Sequence, residues 1–238
     1  MKQLEKAVQK DIPYLADAME KLCADMLIFR YQLSHTDENK RNCTKSLEVL
    51  FESAEDYAKA DQKLREIRKD RKQLLAEKQG LSPIHVFRHK ELSARIAEKT
   101  EDAEELKARK ISILKRAGLP DKADNTELNQ RIASLEKLIQ KLDNQHQKFS
   151  HLLEETQKKY ADLQEQAAHV NDAELDEARR NAKKEHTDYA IKRIRNTFGE
   201  KFSVVRMMEA RKSVERIMRR MEYIPQKQQF QKSAKGYE

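Results

Sequence analysis

Residues 128–170 read LNQRIASLEKLIQKLDNQHQKFSHLLEETQKKYADLQEQAAHV. Leu128, Ile132, Leu135, Ile139, Leu142, His146, Phe149, Leu153, Thr156, Tyr160, Leu163, Ala167 and Val170 recur there at alternating steps of four and three, without a skip. That alternation places all of them on one stripe of an α-helix. At about 1.5 Å per residue the segment forms a rod of roughly 65 Å. An ideal helix drifts off a strict seven-residue repeat, so the stripe implies a left-handed supercoil with a partner helix. An antiparallel hairpin with the preceding helix and a parallel dimer both satisfy it. His146 is a polar member of the seam and is expected to set its register, as a core asparagine can.

The flanking sequence reads the same way. Asn125 or Thr126 is the expected cap of this helix, with Glu127 at its positive end. Before it, Gly118-Leu119-Pro120 stops a helix over about 84–117. That helix carries Leu92, Ile96, Ala103, Leu106, Ile113 and Ala117 on its seam, together with Lys99 and Lys110. Ser82-Pro83 is its expected cap and first turn, after Gly80 ends an earlier helix running from about Ser46. The earlier helix has Leu47, Leu50, Ala54, Tyr57, Asp61 and Leu64 in seam, and its register slips at Ile67. The polar stretch Ser34 to Asn42 reads as a loop. Before it, Ile12, Leu15, Met19, Leu22, Met26, Phe29 and Leu33 form a first seam, with Asp11 as cap and Pro13 in the first turn. After Val170, Asn171 or Asp172 caps a helix over about 173–196, the Phe198–Phe202 segment breaks it, and a last helix runs over about 203–224. Met207, Ala210, Val214, Ile217, Met221 and Ile224 form its apolar stripe, Lys212, Arg216 and Arg219 lie opposite, and Pro225 is expected to end it.

Composition excludes the other fold classes. The 238 residues include 4 Gly and 4 Pro, too little turn chemistry for an all-β chain or a wound α/β sheet. No apolar run approaches the roughly 18 residues of a spanning helix, so no membrane span is expected. The first ten residues have no hydrophobic signal core. Two cysteines, Cys23 and Cys43, cannot form a disulfide framework, which implies a reduced, cytoplasmic protein. The expected fold is all-α: an elongated coiled coil, or long helical hairpins, with a small basic helical module at the C-terminus. Its expected parts are an N-terminal helix and loop (1–43), coiled-coil helices (44–170), a basic module (171–225) and a disordered tail (226–238). The seams leave both self-association and intramolecular helix pairing open.

The net charge of +8 lies in the last quarter. Residues 1–175 balance at 32 cations and 32 carboxylates, whereas 176–238 hold 17 and 9. Arg179, Arg180, Lys183, Lys184, Lys192, Arg193 and Arg195 precede the break; Arg206, Arg211, Lys212, Arg216, Arg219 and Arg220 follow it. Phosphate binding needs positive charge spaced along a backbone and gains from counterion release. Arginine, which outnumbers lysine here, suits bidentate phosphate contacts. The expected partner is DNA, held through phosphates; the competing readings are a solvated face and a surface that docks an acidic protein or a membrane surface. Tyr189, Phe198 and Phe202 are candidates for base stacking, although packing of the break is the stronger expectation.

No catalytic constellation emerges. His85 and His89 share a helical face beside Glu91, but a metal needs three or four ligands and no His-Glu-x-x-His or Cys-x-x-Cys pattern exists. Glu104-Glu105 and Glu154-Glu155 read as solvated faces paired with cations at helical spacing. Neither an enzyme, a cofactor nor a small-molecule substrate is expected, since extended helices enclose no converging dry pocket.

Two stretches carry a family resemblance. One runs from Ala60-Asp61-Gln62-Lys63-Leu64-Arg65-Glu66-Ile67-Arg68 through His89-Lys90-Glu91-Leu92-Ser93-Ala94-Arg95-Ile96 to Glu104-Glu105-Leu106-Lys107. The other joins Ala173-Glu174-Leu175-Asp176-Glu177-Ala178-Arg179-Arg180 to Arg193-Ile194-Arg195-Asn196-Thr197-Phe198-Gly199-Glu200-Lys201-Phe202 and Ala210-Arg211-Lys212-Ser213-Val214. Over about 50–220 the order resembles the helical region downstream of the nicking domain in plasmid mobilisation relaxases of the MobA/MobL type. The resemblance implies a DNA-associated accessory of plasmid transfer, with a relaxase or another mobilisation protein as partner. Relaxases of that family nick DNA with a tyrosine and a metal held by a His-hydrophobic-His pair on a sheet. This chain has no His-x-His and no sheet-forming segment, so none of those catalytic residues carries over.

Overall fold

A computed structural model describes residues 2–234, with side chains described over 12–221. The protein is all-α. Its helices are α1 (Lys2–Gly80), α2 (Val86–Arg116), α3 (Asn125–Ala167), α4 (Asp172–Phe198) and α5 (Val204–Ala234), with a 3₁₀ turn at Gly199–Lys201 before α5.

The chain forms two compact units: Met1–Lys40 with Leu142–Glu238, and Arg41–Lys141. This division differs from the expected one. The basic region is not a module apart, because α4 and α5 share one core with the start of α1 and the end of α3. Ala16, Met26 and Tyr31 of α1 are fully buried there, as are Tyr160 of α3 and Ala190 of α4, with Ala210 of α5 nearly so. The first half of α1 carries apolar side chains off its seam as well as on it. A helix that is apolar all round must be covered all round, and three helices cover it.

The second unit is simpler. Leu50, Tyr57 and Ala60 of α1 meet Ile113 and Leu114 of α2 and Leu128 and Ile132 of α3. Asp61 and Lys110, each a charged residue on a mainly apolar seam, bond to each other at 2.5 Å, and the Lys110 ammonium lies 4.3 Å from the centre of the Tyr57 ring. Arg116 reaches Asp56 at 2.6 Å and Arg88 reaches Glu77 at 2.7 Å. These pairs ascend α1 as they descend α2, so the two helices are antiparallel. The α3 seam is inward along its length: Leu128, Ile132, Leu142, Leu153 and Tyr160 are buried, and Leu135, Ile139, His146, Phe149 and Leu163 half-buried. Its cover within each unit comes from the chain's own helices.

Several boundaries differ from expectation. Asp11 does not start a helix; α1 begins at Lys2 and holds Pro13 inside. One proline forfeits one backbone bond, and the buried turns that follow outweigh that loss. The expected loop Ser34–Asn42 is helical. Its polar side chains find partners instead of ending the helix: Thr36 Oγ1 donates to the Gln32 carbonyl at 2.9 Å, Asp37 meets His146 at 3.3 Å, Lys40 pairs with Asp143, and Glu38 pairs with Arg206. Ser82-Pro83 makes a turn, closed by the His85 N–H on the Ser82 carbonyl at 3.1 Å, and α2 starts two residues later than expected. Asp124, rather than Asn125 or Thr126, caps α3. Its Oδ1 accepts from Thr126 N–H at 2.8 Å and Glu127 N–H at 3.1 Å, while Glu127 Oε2 accepts from Asp124 N–H. This is a capping box, and those amides hold the Asp124 carboxyl below its usual pKa. Asn171 caps α4 as expected. Helix α5 continues through Pro225 to Ala234, past both the expected stop and the expected start of the tail; Gln226–Gln229 are good helix formers. Residues 235–238 of the expected tail lie outside the described residues.

Candidate nucleic-acid interface

The thirteen cations singled out from sequence divide by the face each occupies. Arg179 and Arg206 point into the fold. Arg179 donates to Glu20 at 2.8 Å and to the Tyr160 hydroxyl at 3.0 Å. The Glu20 side chain is 5% exposed and that of Arg179 19%. Burial works against the Arg179 charge, but Tyr160 and Glu20 outweigh it and raise the pKa. Arg206 pairs with Glu38, donates to His35 Nδ1 at 2.9 Å and lies 5.5 Å from the centre of the Tyr31 ring. An acceptor role for Nδ1 requires an unprotonated nitrogen there. Burial lowers the His35 pKa, and Arg206 and Lys201 lower it further. These two arginines hold the fold and leave the set of candidate phosphate contacts. No neighbouring residue signals this, because their carboxylate partners lie more than 150 residues away.

The other eleven are exposed: Arg180, Lys183, Lys184, Lys192, Arg193, Arg195, Arg211, Lys212, Arg216, Arg219 and Arg220. They are not equivalent. Residues 172–188 hold four cations among six carboxylates, whereas 192–220 hold ten cations and three carboxylates. The electropositive surface therefore begins at Lys192. On α5, Lys212, Arg216 and Arg219 are exposed while Met207, Ala210 and Val214 are buried and Ile217 and Met221 half-buried, so the expected faces separate; the Ile224 side chain of that stripe lies outside the described residues. Lys183 and Arg211 line a cleft of about 110 Å³ among α1, α4 and α5, with Glu20, Cys23 and Glu215 also in its wall. Arg193 acts on Asp25, whose carboxyl is pushed up by burial while Arg193, Lys21, His186 and Lys159 pull it down without prevailing.

The aromatic candidates divide too. Phe198 and Phe202 flank the buried Tyr31 ring at centroid distances of 5.0 and 5.9 Å. The Tyr31 hydroxyl accepts from Ser203 N–H at 2.8 Å, and Arg195 lies 5.1 Å from the centre of the Phe202 ring. The break in the chain thus wraps one buried tyrosine, and its phenylalanines pack against that ring. Tyr189 remains exposed. His85 and His89 sit at the start of α2, and among the described residues no group of three side chains is placed to hold a metal. Among them, too, no helix is long and apolar enough to cross a membrane.

The geometry defines a class: an all-α protein with an arginine-rich outward face on its last two helices. Compared with protein-family models, with curated proteins and with solved structures, the chain matches none.

Proposed function

We propose that this chain is a non-enzymatic, DNA-associated helical protein that holds phosphates through the outward cations of α4 and α5. Its place would be in the transfer of plasmids or other mobile elements, with a mobilisation protein as partner, as the relaxase-tail resemblance suggests. The observation that carries the DNA reading is the row Lys212, Arg216 and Arg219, exposed on α5 while Met207, Ala210 and Val214 anchor its other face. Such contacts are sequence-independent and give affinity rather than base readout. Deleting residues 176–238 would be a poor test, because it removes part of the core around α1. The sharper test is Lys212→Gln with Arg216→Gln and Arg219→Gln, measured by duplex DNA binding. The fold should be unchanged and affinity should fall at low salt; unchanged affinity would refute the proposal.

A second reading has its own support. Val204, Val205 and Met208 are exposed near the start of the same helix. Apolar side chains beside a basic row suit an acidic protein partner. That reading expects no salt-sensitive DNA affinity, and a specific partner lost on Val205→Ser with Met208→Ser.

A further inference from the structure

The turn between α1 and α2 carries the two most exposed large apolar side chains among the described residues. Phe87 is 90% exposed and Ile84 86%, with Val86 between them at 55%. They belong to none of the seams and cover nothing in their own unit. The thirteen residues from Lys78 to Lys90 contain three cations, two histidines and no carboxylate. The bordering acids Glu77 and Glu91 both bind Arg88, at 2.7 and 2.9 Å, which leaves Lys78 and Lys90 without a carboxylate in the turn. Helix α2 opens here with no acidic residue in its first turn and no side-chain cap from His85. The Val86 N–H is taken by the Ile84 carbonyl at 3.0 Å; the amides that follow in a first turn lack intrahelical partners and favour an anion.

We propose that this turn is a second nucleic-acid contact, in which Phe87 stacks on an unpaired base while Lys78, Lys90 and the start of α2 meet the adjoining phosphates. An exposed aromatic ring flanked by lysines that no carboxylate engages is the arrangement that single strands use. The chemistry also disfavours a lipid surface. Inserting Phe87 and Ile84 among acyl chains would draw the adjoining Arg88 and its carboxylate partners Glu77 and Glu91 out of water. Stacking on a base covers the ring while those charges stay solvated.

The inference rests on the nucleic-acid reading above, and one variant separates the two. The chain has no tryptophan, so Phe87→Trp introduces a single fluorescent reporter at a position whose exposure leaves the fold indifferent to it. Titration with an oligo(dT) strand should quench the introduced tryptophan severalfold, and Phe87→Ala should weaken oligo(dT) binding about tenfold. A blue-shifted, brighter emission with phosphatidylcholine–phosphatidylserine vesicles and no quenching by oligo(dT) would overturn the inference in favour of a membrane. No response to either probe would overturn it outright. If duplex binding through Lys212, Arg216 and Arg219 persists in that case, the α5 reading stands and the turn alone is wrong. Quenching by oligo(dT) with duplex affinity indifferent to those three would uphold the turn and remove the α5 contact.

Discussion

Helix α1 passes through two environments. Over residues 12–33 it is buried on several faces, with Ala16, Ala24, Leu27, Ile28 and Tyr31 joining the seam residues in the core. Over 41–80 it buries one stripe, and residues such as Val49, Phe51 and Leu75 stay exposed. The polar contacts follow suit. The carboxylates differ: Glu20 of the first unit keeps 5% of its side-chain surface in water and Asp61 of the second 27%, while their cations, Arg179 and Lys110, are alike at 19% and 18%. The difference shows that the width of the apolar surface, not its period, decides how many helices must cover a segment.

Truncating the aromatic residue at the centre of each core tests that contrast most strongly. Tyr31→Ala removes a fully buried ring and the acceptor of the Ser203 amide, and should lower stability by about 4 kcal/mol in urea unfolding. Tyr57→Ala, beside a partly solvated pair, should cost clearly less; equal losses would break the comparison. Glu20→Gln strands the Arg179 charge and should cost about 3 kcal/mol. Asp61→Asn should cost only about 1 kcal/mol, because Asp61 keeps about five times the exposed fraction of Glu20. Replacing Asp61 and Lys110 together by leucine should come close to neutral, as measured in a double-mutant cycle.

The pH dependence of the first unit is a smaller effect of known sign. His35 has a lowered pKa in the fold. As pH falls below about 6.5, the unfolded chain takes up this proton before the folded chain does, so the histidine's contribution, full above that pH, is lost on acidification. His35→Gln should flatten this part of a stability–pH profile. The Asp61–Lys110 pair behaves differently. The Lys110 hydrogen bond lowers the Asp61 pKa; burial opposes the Lys110 charge, but bonds to Asp61 and Tyr57 raise its pKa overall. The pair therefore stabilises from about pH 4, and its contribution is lost as pH rises through the raised lysine pKa.

Much of the fold was legible because helix periodicity is local. The α3 seam, the stop at Gly118 and the Asn171 cap are written in neighbouring residues. Gly118 takes a left-handed φ of 68°, with its N–H on the Lys115 carbonyl and the Leu119 N–H on that of Leu114. What stayed hidden was long-range. The stretch Ser34–Asn42 looks like a loop until Asp143, His146 and Arg206 are brought to it. Of the candidate interface, the outward row on α5 could be read from spacing, because burial of Met207 and Val214 fixes the opposite face. The inward turn of Arg179 and Arg206 could not, since nothing near them in the chain marks Glu20 or Glu38 as partners. Phe87 carried only a weak signal: it is an apolar residue off every seam, just after a proline turn.

The central claim, that the outward cations of α5 hold phosphates while the inward arginines hold the fold, is tested most directly by the salt dependence of duplex DNA binding. The account predicts that log affinity falls linearly with log salt. The Lys212→Gln, Arg216→Gln, Arg219→Gln variant should show a slope shallower by about three, with unchanged unfolding. An identical slope in the variant, or no binding by the parent chain at low salt, would contradict it.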